Sequence, residues 1–306
     1  MRVLFFGMSG VFSIAPLEVL LAGGVDIGAV VVPGAKAQRE APPRRWRPHP
    51  SAPSDLPLLT PHVTPTIIDL AWAHRLPVWE VGNLSEPSTL AWLSGLQPDL
   101  IVVACFSRIF PPALLALPQF GCLNLHPSLL PTYRGPAPLF WQARQGAAQT
   151  GVTLHVLTEG VDSGDIVTQR RFDWPEGISE VALEQRCAQT GAALLAPAVQ
   201  ALARGESLPR RPQSEAEASY FPWPAADNFQ VPTSWSARRA FNFLRFGLRD
   251  WPLWLEIEGQ QLFVQRVLGY DPAQTLAQPF EEQADGEMWV RFAAGVLRVW
   301  PAVVFG

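Results

Sequence analysis

The chain has 306 residues, 48% of them hydrophobic and 16% charged, which is enough apolar material for two domains and excludes a disordered polypeptide. The formal net charge of −4 argues against a broadly basic surface that coats nucleic acid. Three cysteines, Cys105, Cys122 and Cys187, are too few and too scattered for a disulfide framework or a zinc knuckle, and they fit a reducing cytoplasm.

At the N-terminus, MRVLFFGMSG lacks the apolar h-region and cleavage site of a secretory leader. Its apolar run, residues 2–7, reads instead as a first buried strand. A helix over 13–22 and a β-branched run at 26–32 complete a β–loop–α–β order, the opening of a doubly wound sheet. The loop Gly7-Met8-Ser9-Gly10 lacks the full glycine fingerprint of a dinucleotide site. Residues 33–65 hold nine prolines, few large apolar residues and no periodicity, so a long surface excursion is expected. Within it, in the short window 36–47, Lys36, Arg39, Arg44, Arg45 and Arg47 face only Glu40. Such a cluster is either a solvated loop or a surface that contacts phosphate.

A helix is expected over 66–74, a short strand over 77–80 and a helix near 87–94. Residues 99–105 (DLIVVAC) read as a central strand, 111–117 as a helix with prolines in its first turn, and 121–126 as another strand. A helix over 138–145, a strand over 150–158 and a long Ala-rich helix over 181–204 follow. No stretch of the chain approaches the ~20 apolar residues that span a bilayer, so a soluble, cytoplasmic protein without membrane contact is expected. The polar, proline-punctuated segment 205–233 marks a domain boundary, giving domains 1–208 and 209–306. Beyond it come a helix over 236–248 and two pairs of short strands turning at Glu258-Gly259 and at Ala293–Gly295, which suggest a small β-barrel. This last part is acidic: residues 213–306 carry 7 basic against 11 acidic side chains, while residues 1–212 are balanced at 16 each.

The most informative stretch is GCLNLHPSLLPTYRG, residues 121–135. Alternation along its strand puts Asn124 and His126 on one side, at the end where open α/β sheets bind ligands. A turn-rich loop, Glu159-Gly160-Val161-Asp162-Ser163-Gly164-Asp165, follows the next strand and can bring a carboxylate to the same edge. Each residue alone has a plain structural explanation: a satisfied strand amide, a buried histidine, an aspartate serving its own turn. Asn, His and Asp spaced around a Ser-Leu-Leu-Pro turn are harder to explain that way.

GCLNLHPSLLPTYRGPAP followed by TGVTLHVLTEGVDSGDIV closely resembles the folate-dependent formyltransferase family. That family includes methionyl-tRNA formyltransferases, sugar-nucleotide N-formyltransferases and glycinamide ribonucleotide transformylases. The resemblance covers nearly the whole chain, RVLFFG and PDLIVVA included, and SYFPWP with WLEIEGQ resembles the C-terminal domain of the first two groups, closest to the methionyl-tRNA enzymes. It implies a Rossmann-like α/β domain with a mostly parallel sheet, then a small OB-like barrel. The implied reaction moves a formyl group from 10-formyltetrahydrofolate to an amine with no metal, using Asn124, His126 and Asp162. The implied folate pocket is formed, largely through backbone, by Phe106, Ser107, Arg108 and Ile109, by Ser128, Leu129, Leu130 and Pro131, and by Leu157, Thr158, Glu159, Gly160 and Val161. The implied acceptor is the amino group of methionyl initiator tRNA, or alternatively a nucleotide-linked amino sugar. Its expected contacts are Lys36, Arg39, Arg44, Arg45 and Arg47 together with Tyr133, Arg134 and Gly135. Phe-Ser-Arg-Ile at 106–109 departs from the Tyr-Gly-Leu-Ile usual in the methionyl-tRNA group.

Overall fold

Five consecutive positions of Arg2–Gly7 (β1) are fully buried, a run that needs cover on both faces and therefore a place inside a parallel sheet. The computed structural model describes residues 1–34, 42–47 and 66–302. In it β1 pairs in parallel with Asp26–Pro33 (β2) on one side and Leu100–Ala104 (β5) on the other. Val78–Val81 (β4) extends the parallel set beyond β2, and Cys122–His126 (β6) extends it beyond β5. Two antiparallel additions close the flanks: Arg44–Trp46 (β3) on β4, and Gln149–Val156 (β7) on β6. Ile166–Asp173 (β8) completes the order β3-β4-β2-β1-β5-β6-β7-β8.

Local chemistry sets the helices. Ile67–Ala73 (α2) begins at a capping box in which Thr66 and Asp69 each accept from the other's backbone N–H. Pro87–Gly95 (α3) and Pro112–Leu115 (α4) start on prolines, whose missing N–H has no partner to lose there. Ile14–Ala22 (α1), Pro138–Gln145 (α5) and Glu180–Ala203 (α6) complete the expected set before the acidic part. One core cluster packs Leu4 and Phe6 of β1, Ala29 and Val31 of β2, Ile101 and Val103 of β5 and Cys122 of β6 against Leu93 and Leu114.

Two elements of this sheet differ from the sequence expectation. The proline-rich excursion contains the edge strand β3, pinned where Trp46 Nε1 donates to Glu80 Oε2 at 2.8 Å. Residues 35–41 and 48–65 lie outside the described residues. Strand β8 has no clear apolar period because only its first two residues are buried and Arg170 and Arg171 are exposed, as suits the last strand of a sheet.

The chain divides into two compact units: Met1–Arg134, Gly151–Arg171 and Glu184–Tyr220 form the first; Gly135–Thr150, Phe172–Leu183 and Phe221–Gly306 form the second. The second is built on a six-stranded sheet of Gln230–Val231 (β9), Trp254–Ile257 (β10), Gln260–Asp271 (β11), Phe280–Glu282 (β12), Met288–Arg291 (β13) and Val296–Pro301 (β14). Its order is β12-β13-β14-β11-β10-β9. Both expected hairpins are present, and the β10–β11 turn uses left-handed backbone at Glu258 and Gly259. At the other turn a side chain on Gly295 would collide with the backbone of Asp271. Strands β9 and β12 were not anticipated by the pattern, and pairings among the described residues give a sheet ending in those two strands, not a closed barrel. The unit's apolar centre gathers Phe140 of α5 with Phe229, Trp251 and Phe243, the last on Ala237–Gly247 (α7).

Candidate active site

All five residues of β6 are buried. Leu125 points toward Gly191 of α6, whose missing side chain leaves it room, so the alternating residues Asn124 and His126 share the opposite face. Strand β7 runs antiparallel beside them, with Asn124 opposite His155 and His126 opposite Thr153. Directly opposite residues share a face, so the pairing adds His155 to the polar pair. Its ring is fully buried. Asn124 Nδ2 lies 3.0 Å from His155 Nε2, and His155 Nδ1 lies 3.0 Å from the carbonyl of Val156. A carbonyl only accepts, so Nδ1 carries the hydrogen and Nε2 accepts from the Asn124 amide. Burial pushes this ring's pKa down to about 4, with the neighbouring Asp162 opposing the shift and His126 adding to it. His155 is therefore neutral at working pH.

His126 is held from its far side, where Nε2 donates to the carbonyl of Tyr133 at 2.8 Å. Its other nitrogen, Nδ1, faces Asp162 Oδ2 at 3.6 Å. The second carboxylate oxygen of Asp162 lies 3.5 Å from Asn124 Nδ2 and 3.6 Å from His155 Nε2. One carboxylate is thus nearly equidistant from three polar side chains, and it keeps 13% of its own surface open to solvent.

Asp162 arrives by an indirect route. The antiparallel register sets the end of β7 beside Leu123, at the start of β6, so the loop leaving β7 must return along β6 to reach Asn124 and His126. Glycines permit this return. A side chain on Gly164 would strike the Val156 carbonyl, and one on Gly160 would strike Ser163 Oγ. Asp162 itself is in the left-handed region, at φ 49°.

The Ser-Leu-Leu-Pro turn is tied down by its own groups. Ser128 Oγ donates to the Thr132 carbonyl at 2.7 Å, and Thr153 Oγ1 donates to the Ser128 carbonyl at 2.7 Å while accepting from Leu130 N at 3.1 Å. Ser128 and Leu130 are buried, whereas Leu129 and Pro131 are half-buried. Phe106 packs edge-on against Phe6, and Leu157 packs on the same core, so these two offer backbone more than side chain to a ligand. Ser107, Thr158, Glu159 and Gly160 are exposed, as are the apolar side chains of Ile109 at 75% and Val161 at 42%. Arg108 donates to the Gly34 carbonyl at 2.7 Å.

The expected acceptor contacts separate. Arg134 is buried and committed internally: its guanidinium donates to Gln213 Oε1 at 3.1 and 3.0 Å and forks onto Glu215 at 3.1 and 2.9 Å. That leaves it a structural partner in place of an open anion receptor, a consequence of Gln213 and Glu215 arriving from far along the chain. Tyr133 N donates to Ser219 Oγ at 2.9 Å, and Gly135 takes φ 117°. Arg44 and Arg45 lie exposed on the edge strand β3 with Arg47 just beyond it; Lys36 and Arg39 lie outside the described residues.

His155 is the site residue that sequence reasoning missed. A signal existed: Thr153 and His155 are polar alternate positions in the otherwise apolar GVTLHV, which placed opposite Asn124 and His126 must share their face.

The family model described as "Formyl transferase" matches residues 23–199. A methionyl-tRNA formyltransferase of Synechococcus sp. is 35% identical over 267 residues, covering 87% of this chain and 77% of the relative. That of Citrifermentans bemidjiense is 35% identical over 254 residues, covering 82% of this chain and 73% of the relative. Among solved structures, an N-formyltransferase of Helicobacter canadensis, in complex with folinic acid and dTDP-3-aminofucose, superposes with TM-score 0.66 at 16% identity, covering 98% of this chain and 99% of that one. HypX of Aquifex aeolicus in complex with tetrahydrofolic acid gives TM-score 0.61 at 18% identity, covering 98% of this chain and 43% of the other. At those identities the structures speak for the fold alone, whereas the family match and the relatives speak for descent: the chain belongs to the formyl transferase family.

Proposed function

We propose that the protein transfers the formyl group of 10-formyltetrahydrofolate to the amino group of methionyl initiator tRNA, with Asn124, His126 and Asp162 as its catalytic residues. The observation that carries this is the convergence of Asn124, His126 and His155 on the single carboxylate of Asp162. The acceptor comes from the relatives' name, methionyl-tRNA formyltransferase, at 35% identity over most of both chains.

The reaction needs three things of the protein. The amine lone pair attacks the formyl carbon, and the carbonyl electrons move onto oxygen, giving a tetrahedral oxyanion beside a new ammonium. An N–H donor must meet that oxyanion; Asn124 Nδ2 is the neutral donor on this face, and such a donor is worth about 3 kcal/mol. The ammonium must then lose a proton. Asp162 can take it directly, or His126 can carry it on Nδ1, the nitrogen that faces Asp162 while Nε2 stays bonded to Tyr133. Finally the bond from the formyl carbon to N10 of the folate breaks as the oxyanion collapses, and N10 leaves with a proton. His155, neutral and buried, orients the amide of Asn124.

The exposed apolar side chains of Ile109 and Val161 support a flat heteroaromatic ligand against the loops after β5 and β7, since such side chains gain by being covered. Residues 1–208 would form the catalytic domain and 209–306 the C-terminal domain, its sheet curling toward an OB-like barrel.

Purified protein, 10-formyltetrahydrofolate, charged initiator tRNA and a nucleotide-linked amino sugar, followed by mass spectrometry, test this reading. Formyl-methionyl-tRNA is the expected product. A formylated amino sugar with unmodified tRNA would replace the acceptor, and no formylated product on either would end the reading.

A further inference from the structure

Gln213 lies about fifty residues beyond Asp162 in the sequence, in the polar stretch read as a boundary, yet its side chain reaches the aspartate loop. Its Nε2 donates to the carbonyl of Asp162 at 2.7 Å and to that of Gly164 at 2.7 Å. Its Oε1 accepts from Arg134 Nε at 3.1 Å and Nη2 at 3.0 Å. The two ends of this amide cannot be exchanged. A guanidinium only donates and carbonyls only accept, so a flipped Gln213 would face a mismatch at every contact. Arg134 is held in turn by its fork onto Glu215.

We propose that Gln213 is a positioning residue for Asp162, locking the left-handed turn of the aspartate loop against the buried Arg134. Asp162 stands 3.5 to 3.6 Å from Asn124, His126 and His155, so moving it a few tenths of an ångström toward one partner lengthens its distance to another. Its φ of 49° lies in the left-handed region, which aspartate tolerates better than most L-residues but which still favours a turn held by its neighbours. The Gln213 amide straddles that turn, gripping the carbonyls of Asp162 and Gly164. The segment supplying it also steadies the other site loop, because Ser219 Oγ accepts from Tyr133 N and the Ser219 carbonyl accepts from Arg134 N. Tyr133 is the residue whose carbonyl holds His126. One short stretch, residues 213–219, therefore braces both the loop that carries Asp162 and the loop whose Tyr133 carbonyl holds His126.

The kinetic arm of the test rests on the formyl-transfer reading; the spectroscopic arm does not. Gln213→Met keeps the length and removes the amide, with Gln213→Ala as a second variant. The expected result is a kcat lowered roughly ten- to hundredfold, as for a misplacement well under a bond length, with KM for the folate little changed. In an Asp162→Asn background the same substitution should cost nothing further, because Gln213 acts through that carboxylate. In protein labelled with 13C-histidine, the ring signals of His126 should move in Gln213→Met in the sense in which they move in Asp162→Asn. An equal, additive loss of kcat in the Asp162→Asn background would overturn the proposal, and so would unmoved His126 signals in either Gln213 variant. A wild-type protein that transfers no formyl group would defeat the proposed function, and the histidine signals would still decide the role of Gln213.

Discussion

Asn124 and His155 are register partners across β6 and β7, with the amide nitrogen of one 3.0 Å from the ring nitrogen of the other. Because His155 gives its only hydrogen to the Val156 carbonyl, its free nitrogen can only accept. The asparagine is thereby turned so that its NH2, and not its carbonyl, lies toward Asp162. His155→Phe keeps a buried ring and removes that acceptor, leaving the amide oriented only by its longer 3.5 Å contact to Asp162. The expected outcome in steady-state assays is a kcat reduced by roughly one to two decades with KM for the folate nearly constant. Wild-type kcat in a folded variant would remove His155 from the site.

The same histidine makes stability depend on pH. In the unfolded chain its ring takes up a proton near 6.5, and in the folded protein only near about 4, because burial disfavours the cation. Between those values the unfolded chain binds the additional proton. The histidine's contribution is therefore intact above pH 6.5, declines as the pH falls, and is exhausted below about 4. At about 1.4 kcal/mol per pH unit this amounts to roughly 3 kcal/mol. Urea midpoints at pH 7 and pH 4.5 should fall further in the wild type than in His155→Phe. Equal falls would mean that the ring titrates normally.

Much of this was legible in the sequence because apolar runs and turn residues act locally. The parallel strands, the capped and proline-started helices and the polar pair on β6 all follow from periods of two and 3.6 and from backbone chemistry. The missing parts depend on partners distant in the chain. His155 became a site residue through an antiparallel register, and Gln213 through a contact made across roughly fifty residues. Strand β3 hid among prolines, and β8 hid its period because an edge strand can expose its arginines. Arg134, which looks like an anion receptor in the sequence, is buried against two side chains that no local pattern brings near it.

Arg134→Lys distinguishes the structural role of that residue from a ligand-binding one. An ammonium cannot reproduce the fork onto Glu215 together with two bonds to Gln213. Since Glu215 is largely exposed, the loss should fall mainly on the Gln213 side, destabilising the protein by about 1 to 2 kcal/mol in chemical denaturation. KM for the acceptor should stay within about twofold, since the guanidinium is not available to it. A large rise in KM with unchanged stability would return Arg134 to the acceptor site.

Arg44 and Arg45 on β3, with Arg47 beside them, are exposed at the edge of the sheet in the first unit. Their neighbour Trp46 anchors the strand through Glu80, so reversing the three charges leaves that anchor in place. Residues 213–306, with 11 acidic against 7 basic side chains, are poorly suited to gripping an anionic acceptor. If the acceptor is charged tRNA, its binding should therefore lean on this edge. Each phosphate contact contributes roughly 0.7 to 0.9 to the slope of log affinity against log salt. Replacing all three arginines by glutamate should lower that slope by about 2 and raise KM for tRNA at least tenfold at moderate salt, with KM for the folate unchanged. An unchanged salt slope would make the edge strand an ordinary solvated surface and leave tRNA, if it is the acceptor, held elsewhere. An altered KM for a nucleotide-linked amino sugar, with no tRNA formylation at all, would instead make the same arginines a diphosphate clamp.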